Sequence, residues 1–519
     1  MTTRGEPHRR PGTLIRAVPL ARRFRPDHTG AAYRVFYQGV GHDGRGRLVT
    51  GSVFVPDGTP PPDGWPVISY AHGTTGLSDR TAPSRTGLLR LERAHIAAWL
   101  AAGHAVTATD YEGLSTPGPH PYLNGEAAAD DVIDIVRAAR RLDHPLDRRW
   151  LVAGFSQGGH AALFTALMAT NYAPELDFLG TVALAPPVHL RRVIAARTSD
   201  PAAPVCPFVP IVLAGMRTRH PTLAHTFLTP RGATLVDQAA RLSLVEIFHA
   251  TRDFTNHQTG MTNLTDHQDV ARVLDDCRVP ITRLDRPLFL AAAGNDEIVP
   301  STVIHDFATD ITAAGSTVHL TTYPDATHST ILTAAGTDAT TWAAGLTGHS
   351  HTPAPFRFDL LDATGDGHLG RDDYEAFALR LVQSFGHPPH SPAAMTVRSA
   401  YRTLWRALAT ESDTDDDGRI SKAEFLTWAT NTTHTTFTET LHPLATAVLS
   451  LIDTNGTGQV ERLEFQTLST RCGLPESLFD RLDTNHRGTI EITELIEATM
   501  SFCRNPTPEN PGHWLFGRF

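Results

Sequence analysis

The stretch that most restricts what this chain can become is the apolar run Trp150-Leu-Val-Ala-Gly154, continued by Phe155-Ser156-Gln157-Gly158-Gly159 and a helical pattern from Ala161. A short buried strand that meets a helix through G-x-S-x-G holds its serine on a sharp turn, with the hydroxyl clear of the backbone. Small residues are needed where strand and helix come so close, and Gly154, Gly158 and Gly159 supply them. The helix behind the turn aims free backbone N–H groups at negative charge developing beside the serine. Ser156 is therefore the candidate nucleophile, and the backbone N–H of Gln157 a candidate oxyanion donor.

A chain of 519 residues is long for one core, so at least two domains are expected. Charge divides them. Residues 1–350 carry 31 basic and 32 acidic side chains, whereas residues 351–519 carry 14 and 23, a net of −9. An acidic last third excludes nucleic acid as a partner and suits a cation. Four scattered cysteines exclude a disulfide framework or a zinc site; free thiols are expected, with a Cys206–Cys277 bridge left open. Residues 1–27 hold seven arginines but no apolar run, so no export signal is read. No segment reaches the roughly 20 apolar residues of a membrane span. A cytoplasmic protein is the expectation.

In chain order, residues 1–30 read as a flexible basic arm. Alternating strands follow at 32–40 and 47–56, then a buried strand at 66–71 and a helix at 88–102. A strand at 104–110, an amphipathic helix at 126–141, the Ser156 strand and helix, and a strand at 181–185 continue the alternation. Residues 186–285 break it with helical and Pro-rich pieces, which predicts a cap inserted between sheet strands. Strands at 287–293 and 317–323, with a helix from Val303 between them, complete the pattern. The prediction is an α/β domain over 31–345, with a mostly parallel sheet covered on both faces.

A serine nucleophile needs a histidine base and an acid that orients the imidazole. Asp296 and His328 follow the last two strands, in the order Ser…Asp…His; Asp296 is preferred to Asp325 by position, as His328 is among 27 histidines. The second oxyanion donor is placed at or near Thr74, beside Gly73, in the loop after the 66–71 strand. His72-Gly-Thr-Thr-Gly76, Asp110-Tyr-Glu-Gly113, His120-Pro-Tyr-Leu123, Gly154-Phe-Ser-Gln-Gly158, Asp296-Glu-Ile-Val-Pro300 and His328 resemble the secretory-lipase (fungal lipase A-like) branch of the α/β-hydrolases. The resemblance covers about residues 30–345. It implies hydrolysis of carboxylic esters or acylglycerols through an acyl-enzyme on Ser156. Relatives of that branch are secreted, and without an export signal smaller or intracellular esters are the expected substrates.

After a short linker at 346–355 the sequence repeats a twelve-residue calcium loop. Asp413, Asp415, Asp417, Gly418, Ile420 and Glu424 fit it throughout, with the carbonyl of Arg419 at position 7. Asp362, Thr364, Asp366, His368 and Asp373 form an earlier loop, weaker because Asp at position 12 reaches a cation less well than Glu. Asp453, Asn455, Thr457, Gln459 and Glu464 form a third with fewer charges. In the fourth, Asp483, Asn485 and Glu494 surround Arg487, whose positive charge repels an ion, so that site is expected to be weak or lost. Residues 356–503 resemble four-hand calcium-binding proteins of the sarcoplasmic and calerythrin type, followed by an apolar tail at 504–519.

The sequence thus reads as an α/β-hydrolase with an inserted cap, followed by an all-α four-EF-hand domain. The expected function is a serine esterase or lipase with a calcium module that regulates or stabilises it. Its partners are a small-molecule or lipid ester and calcium. The alternative is a calcium sensor or buffer that uses the hydrolase fold as a binding scaffold.

Overall fold

Two apolar runs, VISYA within Trp65–Ala71 and AVTAT at Ala105–Thr109, are buried along their whole length. Unbroken runs of this kind belong at the centre of a sheet covered on both faces. The computed structural model describes residues 10–218, 220, 227–348, 366–384, 387–421, 424–425, 434–453, 455–466, 477–494 and 496–498. The chain divides into two units, Met1–His351 and Thr352–Phe519.

Among the described residues of the first unit, one sheet holds β1 (Leu14–Pro19), β2 (Thr29–Val40), β3 (Gly46–Pro56), β4 (Trp65–Ala71), β5 (Ala105–Thr109), β6 (Leu146–Phe155), β7 (Asp177–Leu184), β8 (Leu288–Ala293) and β9 (Val318–Tyr323). Their order is β1-β2-β3-β5-β4-β6-β7-β8-β9. The pairs β1–β2, β2–β3 and β3–β5 are antiparallel, and every pair from β5 to β9 is parallel. The order doubles back at β4, which lies between β5 and β6. Chain leaving the carboxyl ends of β4 and β6 therefore opens a crevice there.

Helices α1 (Arg90–Ala101), α2 (Gly125–Ala139) and α3 (Gln157–Tyr172) cover the sheet. On one face Val132, Val136 and Ala162 of α2 and α3 pack with Val67 and Val152. On the other, Ile96 and Trp99 of α1 pack with Ile68 and Leu151. Neighbouring residues of one strand thus point to opposite cores, as the pleat dictates. Between β7 and β8 run the cap helices α4 (Leu190–Thr198), α5 (Phe208–Met216), α6 (Pro230–Ala239), α7 (Leu244–Thr251) and α8 (Gln268–Asp276). They bury a core of their own around Val209, Val236 and Leu274, into which Leu77 and Tyr122 reach from the hydrolase loops. The expected helical cap is present. Helices α9 (Ser301–Ala313) and α10 (Gly336–Thr347) close the unit, and no described helix is long and apolar enough to cross a membrane.

The structure corrects two expectations. Residues 10–30 are not a loose arm, because β1 pairs antiparallel with β2 from Leu14↔Tyr37 to Pro19↔Tyr33. Leu14 and Ala17 pack on one core and Leu20 is buried in another. Arginines at every few positions hid this short strand; Arg16 instead lies over the Phe36 ring. The final hydrolase helix runs to Thr347 and is capped by left-handed Gly348, so the first residues assigned to the linker are helical. The Cys206–Cys277 bridge that the sequence left open is not formed, in keeping with the expected thiols.

In the second unit α11 (Arg371–Ser384), α12 (Pro392–Ser412), α13 (His434–Ile452) and α14 (Ser477–Leu482) share one core holding Trp405, Phe425, Phe465 and Phe479. Two short ribbons join the loops in pairs. β10 (His368–Leu369) pairs with β11 (Ile420–Ser421), and β12 (Val460–Glu461) with β13 (Thr489–Ile490). Position 8 of each loop therefore meets position 8 of its partner, Leu369 with Ile420 and Val460 with Ile490. Asp362, Thr364, residues 349–355 and the tail at 504–519 lie outside the described residues.

Removing residues 1–19 should strip β1 from the sheet edge and lower the Tm of the hydrolase unit by about 5 °C or more. Scanning calorimetry of the truncated and full chains checks this, and a Tm within a degree of the full chain would restore the loose arm.

Candidate active site

Ser156 sits between the last residue of β6 and the first of α3, with φ 55° and ψ −117°. A left-handed conformation costs a non-glycine residue about 1–2 kcal/mol, so packing must hold it. The packing is visible at two glycines. A Cβ on Gly154 would stand 2.0 Å from the Gly158 carbonyl oxygen, and one on Gly158 would stand 1.8 Å from that of Ala71. Strand β6, helix α3 and the end of β4 meet here backbone to backbone. The Ser156 N–H donates to Leu184 O of β7 at 2.9 Å, fixing the turn from the other side.

The loops after β8 and β9 bring the expected partners to this turn. Ser156 Oγ lies 2.8 Å from His328 Nε2, and His328 Nδ1 lies 2.8 Å from Asp296 Oδ2. A carboxylate only accepts, so Nδ1 carries the imidazole hydrogen and Nε2 is left to accept from the serine. Asp296 Oδ1 accepts the N–H groups of Ile298 at 2.8 Å and Val299 at 2.7 Å, which orients the carboxylate. Glu297 Oε2 accepts the His328 N–H at 3.2 Å. Asp296 is fully buried on its side chain and His328 nearly so, whereas Asp325 is exposed. Phe155 and, from the cap, Phe208 flank the His328 ring at 5.1 and 6.4 Å between centroids.

Of the expected oxyanion donors, Gln157 is the first residue of α3, where an N–H has no partner within the helix. Thr74 is buried, its hydroxyl 2.6 Å from that of Tyr122. Gly73 is a correction. Its N–H donates at 2.7 Å to Glu92 Oε1, so it is committed to the interior. Glu92 is itself buried, and desolvation raises its pKa against the pull of His72 and these hydrogen bonds. Sequence reading did not single out Glu92, Phe155, Phe208 or Glu297, because their roles rest on contacts between distant segments. His120 stood within a motif, but its partners did not show.

In the second unit the carboxylates of Asp413, Asp415 and Glu424 each place an oxygen within 4.8 Å of the others. Gly418 turns the loop at φ 77°. Glu424 accepts from Thr414 N and Ser421 N at 2.8 Å each, which with the Thr414 hydroxyl holds its pKa down at about 2. Desolvation and the neighbouring carboxylates of Asp417, Glu424 and Asp413 push the Asp415 pKa up. This donor set fits a hard cation. Asp453, Asn455, Thr457, Gln459 and Glu464 share the same loop form, with Gly458 N donating to Asp453 Oδ2 at 2.7 Å. In the fourth loop Arg487 at position 5 pairs at 3.1 Å with Glu491 at position 9, joining two ligand positions to each other. In the first, Asp373 Oδ2 accepts from Gly370 N at 2.7 Å, and Asp366 pairs with Arg419 at 3.3 Å.

The family model for secretory lipases matches residues 78–348, just over half of the chain and all three groups of the Ser156 line. The chain belongs to the secretory lipase family. An EF-hand model matches residues 412–427. Calerythrin of Saccharopolyspora erythraea is 28% identical over 154 residues, covering 28% of this chain and 87% of that protein. A protein of Mycobacterium tuberculosis described as a probable inactive lipase is 25% identical over 331 residues, 60% of this chain and 73% of that one. Among solved structures, a rice cell wall degrading esterase from Xanthomonas oryzae superposes with TM-score 0.55 at 17% identity, covering 66% of this chain and all of that one. A secretory lipase fused to a calerythrin-like EF-hand unit accounts for both parts.

One histidine of this lipase carries a pH signature. His160 of α3 bonds the Cys277 carbonyl through Nε2 at 2.7 Å, and burial pushes its pKa down from 6.5 to about 4. The folded state then binds fewer protons than the unfolded one between those values, so its stabilisation is complete above pH 6.5 and lost as pH falls toward 4. His160→Gln keeps an N–H donor but cannot titrate. The stability advantage of the parent over this variant, measured by denaturant unfolding, should shrink between pH 7 and pH 4.5; an advantage constant with pH would contradict the burial argument.

Proposed function

We propose that this secretory lipase is a serine carboxylic-ester hydrolase acting through an acyl-enzyme on Ser156. The observation that carries the reading is the continuous line Ser156 Oγ–His328 Nε2, His328 Nδ1–Asp296 Oδ2, with 2.8 Å at each link. In it Ser156 Oγ attacks the acyl carbon while its proton passes to His328 Nε2. The charge that develops on the carbonyl oxygen is taken by the backbone N–H groups of Gln157 and Thr74. His328 returns the proton to the departing alkoxide, and the alcohol leaves. Water, deprotonated by the same imidazole, then attacks the acyl carbon and releases the acid and Ser156. Asp296 holds the ring in the required tautomer and stabilises the imidazolium.

Phe155 and Phe208 around the base and the apolar core of the cap suit an acyl group, and the Xanthomonas oryzae protein of similar fold is named an esterase. The Mycobacterium tuberculosis relative is described as a probable inactive lipase; here serine, imidazole and carboxylate stand at hydrogen-bonding distance. On p-nitrophenyl esters from acetate to palmitate, Ser156→Ala should lose at least about 10³-fold in kcat with an unchanged circular-dichroism spectrum. His328→Ala should do likewise and Asp296→Asn somewhat less. A Ser156→Ala variant that keeps most of its activity would end the assignment.

The same reading gives the second unit calcium. Asp413, Asp415, Asp417 and Glu424 would hold the ion tightest, having four carboxylates against two in the Asp453 loop. Trp405 lies on α12, which leads into the Asp413 loop, and reports filling by fluorescence. Glu424→Gln should weaken the tightest site by about tenfold or more and Asp483→Ala much less; the reverse ranking would overturn the order. Comparing kcat, KM and Tm of the full chain with calcium and with chelator separates regulation from stabilisation. A change in kcat or KM marks the first, and a change in Tm alone the second.

A further inference from the structure

The loop between β5 and α2 holds three non-glycine residues at positive φ within thirteen positions, Tyr111 at 71°, Ser115 at 68° and Leu123 at 59°. Such a loop is kept against its local preference by what it touches. It touches both segments that carry the oxyanion donors. Tyr111 OH donates to His72 O at 2.9 Å, and Tyr122 OH meets Thr74 Oγ1 at 2.6 Å. His120 reaches the other segment, with Nε2 3.0 Å from Gln157 Nε2.

The direction of each bond around His120 is fixed. His120 Nδ1 lies 2.8 Å from the Glu112 carbonyl, which only accepts, so Nδ1 carries the hydrogen. A neutral ring then has a lone pair on Nε2, and Gln157 must present its amide N–H to it. Burial keeps the ring neutral, with a pKa pushed down to about 4, and nearby His72 adds to this. The Glu112 N–H in turn donates at 2.7 Å to Asp131 Oδ2, buried on α2. A chain of hydrogen bonds thus runs from α2 through the loop to the side chain of the residue after the nucleophile. Tyr111 stacks on His120, with centroids 5.8 Å apart and planes at 20°.

We propose that His120 is a positioning residue for the hydrolytic reaction. By holding the Gln157 side chain it sets the angle of the Gln157 backbone N–H toward the developing oxyanion. This rests on the serine-hydrolase reading. The bond acts on a donor that meets charge developing only in the transition state, so its loss affects turnover more than binding.

The test uses the full chain with His120→Leu, His120→Gln, Gln157→Leu and the Leu/Leu double variant, assayed on p-nitrophenyl butyrate. His120→Leu and Gln157→Leu should each lower kcat about tenfold with KM within about twofold. The double variant should be no slower than the slower single one, because both remove the same bond. His120→Gln can donate to Glu112 O and accept from Gln157 and should recover most of the turnover. Singles at the parent kcat, or a double loss equal to the product of the two, would overturn the proposal. Should His120→Leu fail to fold, Gln157→Leu decides alone: it keeps its backbone N–H, and the parent kcat there defeats the proposal. A fluorophosphonate distinguishes the failures. A parent chain labelled at Ser156 with unaffected variants defeats only the positioning role; a parent neither labelled nor active defeats the hydrolase reading and this proposal together.

Discussion

Everything at the Ser156 site depends on one close approach, where the start of α3 presses against the end of β4 at the Gly158–Ala71 contact. With no side chain between them, the two backbones lock, and Ser156 is held at a backbone angle it would not adopt unaided. The loop carrying Thr74 follows directly from Ala71, so the contact that strains the serine also brings that loop beside it. The sheet order does the rest. Doubling back at β4 opens the crevice at these strand ends, and the loops after β8 and β9 deliver Asp296 and His328 to the same edge.

Parts of the structure that follow from short-range pattern were legible in the sequence. The strand-turn-helix around Ser156, the alternation that builds a parallel sheet, and the calcium-loop spacing are each written within a dozen or so residues. Asp296 and His328 were legible because chain order and strand ends constrain them together. Gly73 was misjudged for a physical reason: its N–H is claimed by Glu92, nineteen positions on, and nothing local announces that partner. The edge strand β1 was missed because its signal is six residues long and set among arginines. His120 stood out in a motif, but its partner Gln157 is brought to it only by the fold.

The second unit shows the same economy in another form. Its loops are joined in pairs by two-residue ribbons, so a loop need not hold an ion to keep its place. In the fourth loop Arg487 joins Glu491, and its ribbon nonetheless completes the third loop's pair. Net acidic charge lies almost wholly in residues 351–519, which leaves residues 1–350 close to neutral.

The central claim is that the strained serine becomes covalently acylated with His328 as its base. It is tested most directly by intact-mass spectrometry of the full chain mixed rapidly with a p-nitrophenyl ester and quenched in acid. The account predicts a transient mass increase of one acyl group, mapped by peptide sequencing to Ser156 and missing in both Ser156→Ala and His328→Ala. Ester turnover without any acyl adduct on Ser156, or an adduct that persists in Ser156→Ala, would contradict it.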